Sequence, residues 1–158
     1  MIAENIARQV GLKLKEKGYK LVTAESCTGG GIAYAVTQIE GSSAWFDRGF
    51  VTYTNEAKQE MLNVDQALLA TAGAVSEAVA LAMAKGALAN SQADVSIAVT
   101  GVAGPTGGTP LKPVGTVWLA FASQSFAPQA VLLSLSGERA EIREQAVSIA
   151  LERLLSLL

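Results

Sequence analysis

Apolar strands alternate with helical segments along this chain, and few folds can accommodate that order. Residues 2–17 carry apolar side chains at helical spacing and run into Gly18. Residues 19–23 then read as a strand, and the Gly29-Gly30-Gly31 run leads into a helix through Ile39. A break at residues 41–43 precedes a short strand at 50–53. Asn55 reads as the cap of a helix over 56–62. Ser76 with Glu77 opens an alanine-rich helix to about residue 90, and residues 95–99 form an apolar, β-branched strand that empties into glycines. Residues 116–122 and 130–135 come next with no helix between them, so they are expected to pair antiparallel before a closing helix over 140–157. The pattern predicts a single α/β domain over residues 1–158, three layers deep (α/β/α), around a mixed and mostly parallel sheet.

Composition removes several classes of function. Half of the 158 residues are apolar and 16% are charged, which suits a compact domain rather than a disordered chain. A formal net charge of −2 gives no support to nucleic-acid binding. No apolar run approaches the roughly 18–20 residues of a membrane span, and the first residues do not form a signal peptide. A lone cysteine, Cys27, excludes an intrachain disulfide and suits a reducing compartment, so a cytoplasmic location is expected. The chain has no histidine. A Ser-His-Asp triad, a Cys-His pair and a His-ligated metal site are all excluded within one chain, leaving lysine, a carboxylate or tyrosine as the base.

Three segments are polar or glycine-rich directly after a strand, where sites gather in α/β sheets. The first runs from Glu25 through Ser26, Cys27, Thr28 and Gly29 to Gly30. Its amide N–H groups and the dipole of the next helix favour an oxyanion or a phosphate, although Ser26 and Thr28 could equally serve only as caps. Cys27 is an alternative nucleophile, but a free cysteine is more often a small buried hydrophobe. The second segment carries Tyr53 and Lys58. A lysine in the first turn of a helix is disfavoured as a cation, and a neutral lysine can take a proton from serine; a solvated surface lysine is the plain alternative. The third, residues 100–108 with Gly101 and Gly104, lacks the Gly-Lys-Ser/Thr ending of a phosphate-binding Walker loop but can still cradle an anion with its backbone. Arg48 and Arg139 are candidate phosphate ligands, and the turn at Gly41-Ser42-Ser43 offers further donors.

Taken together, the runs at residues 24–30, 41–46, 49–58 and 100–105 resemble the CinA C-terminal domain family in order and spacing over nearly the whole chain. The resemblance implies hydrolysis of the carboxamide of nicotinamide mononucleotide to nicotinate mononucleotide and ammonia, without metal or cofactor. It matches Ser26 to the nucleophile, Lys58 to the general base and Tyr53 to an accessory tyrosine. Thr28, Gly29, Gly41, Ser43, Arg48, Gly101, Gly104 and Arg139 remain the candidates for binding substrate. Thr54 and Val102 stand where many relatives have serine and isoleucine. A homodimer is the family expectation, to which the weakly charged last helix adds support. The alternatives are a nucleotide-binding module without hydrolysis, and an amidase for another small amide.

Overall fold

The computed structural model describes residues 2–158. α1 (Ile2–Lys17) buries Ile6, Val10 and Leu14 along one side, and Gly18 ends it in a left-handed conformation (φ 68°) that a side chain would resist. β1 (Leu21–Glu25) is buried throughout. After it come α2 (Gly31–Thr37), a 3-10 turn at Ser42–Ala44 and β2 (Phe46–Val51). Three helices come next: α3 (Asn55–Leu62), α4 (Gln66–Ala72) and α5 (Glu77–Ala89). The chain then runs through β3 (Val95–Gly101), β4 (Thr116–Ser123), β5 (Gln129–Ser134) and α6 (Arg139–Leu157).

The sheet order is β2-β1-β3-β4-β5. β1 lies parallel to both β2 and β3, while β4 is antiparallel to β3 and to β5. The sheet is therefore mixed, with a parallel core of three strands and an antiparallel hairpin on one side. Alternating side chains serve two cores. Leu21, Val95, Ile97, Val117 and Leu119 pack under α1, α2 and α6. Val22, Ala24, Ala98, Ala120 and Ala122 pack under α3, α4 and α5. The small side chains on the second face let α5 lie close to the sheet. No helix among the described residues is long and apolar enough to cross a membrane.

The helix over 2–17, the capping of α5 by Ser76, and the final hairpin and helix agree with the sequence reading. Three details differ. The second strand covers Phe46–Val51, not 50–53. It is an edge strand, half-exposed, and so tolerates Asp47, Arg48 and Gly49 in place of an apolar pattern. The cap of α3 is Thr54 rather than Asn55: Thr54 is extended and its hydroxyl accepts from the N–H of Ala57 at 3.0 Å. α4 had no counterpart in the sequence reading, because its seven residues bury only Leu69 and give too short a period to recognise.

Candidate active site

The carboxyl end of β1 stops at Glu25, and Glu25 itself shapes the turn into α2. Its buried carboxylate accepts from the Thr28 hydroxyl at 2.6 Å and from the N–H groups of Ile32 and Ala33 at 2.8 and 3.0 Å. It thus caps α2 from outside the helix, where Gly30 offers no side chain. Gly29 and Gly30 are left-handed, with φ of 58° and 99°, which lets the chain reverse between strand and helix. Ser26 sits at the head of this turn, with its own N–H bonded to the Val99 carbonyl of β3 at 3.0 Å.

Lys58, the fourth residue of α3, reaches the same point from the other side. Its side chain is only 1% exposed. Nζ lies 3.1 Å from Ser26 Oγ, 3.0 Å from the Thr52 carbonyl oxygen and 3.3 Å from that of Tyr53. Burial pushes the lysine below its ordinary pKa. A neutral amine has two N–H groups and one lone pair. With the two carbonyls taking the N–H groups, the lone pair is left for the Ser26 hydroxyl. The competing acceptor for that hydroxyl, the Tyr53 carbonyl, is farther away at 3.4 Å.

Tyr53 thus meets the lysine through its main chain, not its phenol. The phenolic oxygen accepts from Arg139 Nη2 at 3.1 Å, and Arg139 Nη1 donates to the Gly104 carbonyl at 2.6 Å. These groups border a cleft of about 320 Å³ whose walls include Ser26, Tyr53, Lys58, Thr100, Gly101 and Arg139. Gly101 is needed where β3 meets β4, since a Cβ there would stand 2.8 Å from the Thr116 carbonyl oxygen. Cys27 also touches the cleft, but burial pushes its thiol up to about 11, so it stays protonated near neutrality and is a poor nucleophile.

Ser26, Tyr53, Lys58, Gly101, Gly104 and Arg139 are brought together. Thr28 and Gly29 have no side chain in the cleft lining, the Thr28 hydroxyl being engaged by Glu25. Gly41, Ser43 and Arg48 are not brought to the cleft. The Trp45 carbonyl bonds the N–H of Leu21 at the start of β1, so the turn at 41–44 lies by the opposite end of the sheet. Arg48 is held there by Asp47 at 2.8 Å and by the Asn90 carbonyl at 3.2 Å. The reason is topological: β2 runs parallel to β1, so the turn before β2 meets the amino ends of the strands. The capping role of Glu25 and the part played by Arg143 escaped the sequence reading. Arg143 donates to the carbonyls of Cys27 and Thr28 at 3.1 and 3.3 Å, and no local pattern links residues that far apart. Among the described residues no cluster of three His, Cys, Asp or Glu side chains is arranged to hold a metal.

Comparison with known proteins finds relatives over nearly the whole chain. The family model described as CinA C-terminal domain matches residues 3–158. A protein named nicotinamide-nucleotide amidohydrolase PncC from Escherichia coli (strain K12) is 50% identical over 149 residues, covering 94% of this chain and 90% of that one. The protein of the same name from Pseudomonas putida is 48% identical over 154 residues, covering 96% and 94%. The crystal structure of competence/damage inducible protein CihA from Agrobacterium tumefaciens superposes with a TM-score of 0.97 at 48% identity, over 99% of this chain and 96% of that one. With the family model spanning nearly all of it, the chain belongs to the CinA C-terminal domain family.

Proposed function

We propose that this protein hydrolyses the carboxamide of nicotinamide mononucleotide, releasing nicotinate mononucleotide and ammonia, with Ser26 as nucleophile and Lys58 as general base. The observation that carries the reading is the 3.1 Å approach of a buried lysine amine to a serine hydroxyl at the rim of a cleft. The names of the relatives supply the substrate class.

In the first half-reaction the Ser26 proton passes to Lys58 Nζ while Oγ forms a bond to the carboxamide carbon. The tetrahedral intermediate collapses as Lys58 returns the proton to the amide nitrogen, the C–N bond breaks, and ammonia leaves. In the second, water gives a proton to Lys58 and its oxygen attacks the acyl ester. Breakage of the C–Oγ bond, with Lys58 returning that proton to Oγ, then restores Ser26 and the neutral amine and frees the acid, which ionises to the carboxylate. The carbonyls of Thr52 and Tyr53 hold the amine throughout. Arg139 is the cation nearest the cleft and the candidate for the substrate phosphate, with the Tyr53 hydroxyl beside it. The enzyme is read as a cytoplasmic homodimer with no nucleic-acid partner.

Ammonia release from nicotinamide mononucleotide tests the reading, with wild type beside Ser26→Ala and a chelator present throughout. Serine-dependent, chelator-resistant release is expected, with the mononucleotide preferred over nicotinamide and its riboside. No release from folded wild type, with ligand-induced stabilisation retained, would turn the reading to a binding module.

A further inference from the structure

Two arginines stand one turn apart at the start of α6, and each grips a different wall of the cleft. Arg139 holds the Gly104 carbonyl and the Tyr53 hydroxyl. Arg143 reaches the nucleophile turn instead, with Nε donating to the Cys27 carbonyl and Nη2 to the Thr28 carbonyl. Among the described residues Arg143 forms no ion pair with a carboxylate. Its fixed fork of donors is directed at two successive peptide groups.

The bond to the Cys27 carbonyl orients a backbone donor, and the bond to the Thr28 carbonyl steadies the next peptide. In a planar trans peptide the carbonyl and the adjoining N–H point in opposite directions. Holding the Cys27 carbonyl toward α6 therefore turns the Thr28 N–H away from it. The other amides of the turn are engaged: Ser26 N–H by the Val99 carbonyl, Gly29 N–H by the Ser26 carbonyl, and Gly31 N–H by the Thr28 carbonyl. Thr28 and Gly30 keep N–H groups without a hydrogen-bond partner among the described residues of the turn, and that of Cys27 faces only its own thiol. The residue after a nucleophilic serine is a common source of oxyanion donors.

We propose that Arg143 is a positioning residue: by gripping the Cys27 carbonyl it holds the unpartnered N–H of Thr28, beside that of Cys27, toward the oxyanion that forms at Ser26. The inference rests on the amidase reading above. It separates the two arginines by role, with Arg139 at the cleft mouth and Arg143 behind the turn.

Two variants test it, Arg143→Ala and Arg143→Lys, each checked for folding by its melting curve. Turnover of nicotinamide mononucleotide and the rate of Ser26 labelling by a fluorophosphonate are measured side by side. Loss of one oxyanion donor typically costs about 10²–10³ in kcat. A donor that is loosened and still present predicts a loss of about 10- to 100-fold, with KM within about twofold of wild type. Labelling should slow in parallel, and added guanidinium should restore part of the Arg143→Ala rate without accelerating wild type. Lysine keeps the charge but is a point donor that cannot bridge both carbonyls in the same way, so Arg143→Lys should also stay slow. If the alanine variant does not fold, the lysine variant carries the test. Wild-type kcat in Arg143→Lys would overturn the proposal, as would a loss confined to thermal stability with no guanidinium response. If wild type itself neither hydrolyses nor is labelled, the amidase reading fails and this inference falls with it. Unchanged variants of an active wild type would overturn this inference alone.

Discussion

Lys58 Nζ lies 3.1 Å from Ser26 Oγ although 32 positions of chain separate the two residues. Ser26 comes directly after the interior strand β1, and Lys58 stands in the first turn of α3, just beyond the edge strand β2. Pairing of β1 with β2, continued by the Thr52 N–H on the Glu25 carbonyl at 2.9 Å, brings the end of one segment beside the start of the other. Sheet register thus sets the distance on which the proposed chemistry depends.

Because burial lowers the Lys58 pKa, activity should rise with pH as the amine loses its proton. The midpoint of kcat/KM against pH is expected below the ordinary lysine range. Lys58→Ala should abolish turnover while leaving ligand affinity largely intact, and near-wild-type activity from that variant would sink the dyad.

The same lysine affects stability with a definite sign. Its folded pKa lies below its unfolded one, so between the two values the unfolded chain binds more protons and stability increases with pH. The destabilisation is fully present below the folded pKa and is relieved as pH climbs from the folded toward the unfolded value. Urea titrations across that window should show the wild-type unfolding free energy rising, with a flatter dependence in Lys58→Met.

Glu25→Gln should loosen the turn that carries Ser26. The carboxylate accepts three hydrogen bonds at the start of α2, and an amide would present an NH2 group to donors. A buried mismatch of this kind costs about 1–3 kcal/mol. Denaturant midpoints should fall accordingly, and kcat should fall with them, since Ser26 adjoins the residue that anchors the turn.

Gly86→Ala tests a packing contact that supports the site from a distance. A Cβ on Gly86 would lie within 2.9 Å of the Leu62 carbonyl carbon and closer still to its oxygen, at the end of the helix that carries Lys58. Because the obstacle is backbone, α3 and α5 would have to separate. Overpacking typically costs about 1–3 kcal/mol. A lower melting temperature with reduced kcat is expected, and an unaffected variant would mean the two helices can slide freely.

Cys27→Ala should stay active. The thiol is held protonated by burial, and Lys58 addresses the neighbouring hydroxyl rather than the sulfur. Ammonia release under the conditions used for wild type gives the answer directly, and a folded but inactive variant would reassign the nucleophile.

Elements whose signals are local were legible in the chain. Gly18 ends α1, Ser76 caps α5, and the apolar spacing of residues 139–157 makes a helix whatever surrounds it, because capping and periodicity act within a turn or two. Ser26, Tyr53 and Lys58 were legible only as family motifs or as permissible residues, since a serine at a strand end and a lysine in a first turn are each commonplace. Tertiary structure decided the rest. It buried Lys58 so that desolvation lowers its pKa, turned the Tyr53 carbonyl rather than its phenol to the amine, and sent Arg48 to the far end of the sheet. It also laid Arg143 across the turn after Ser26, 116 positions from Cys27 along the chain. Such contacts arise from strand order and helix packing, whose energies come from surfaces brought together over long separations, and no local stretch of sequence encodes them.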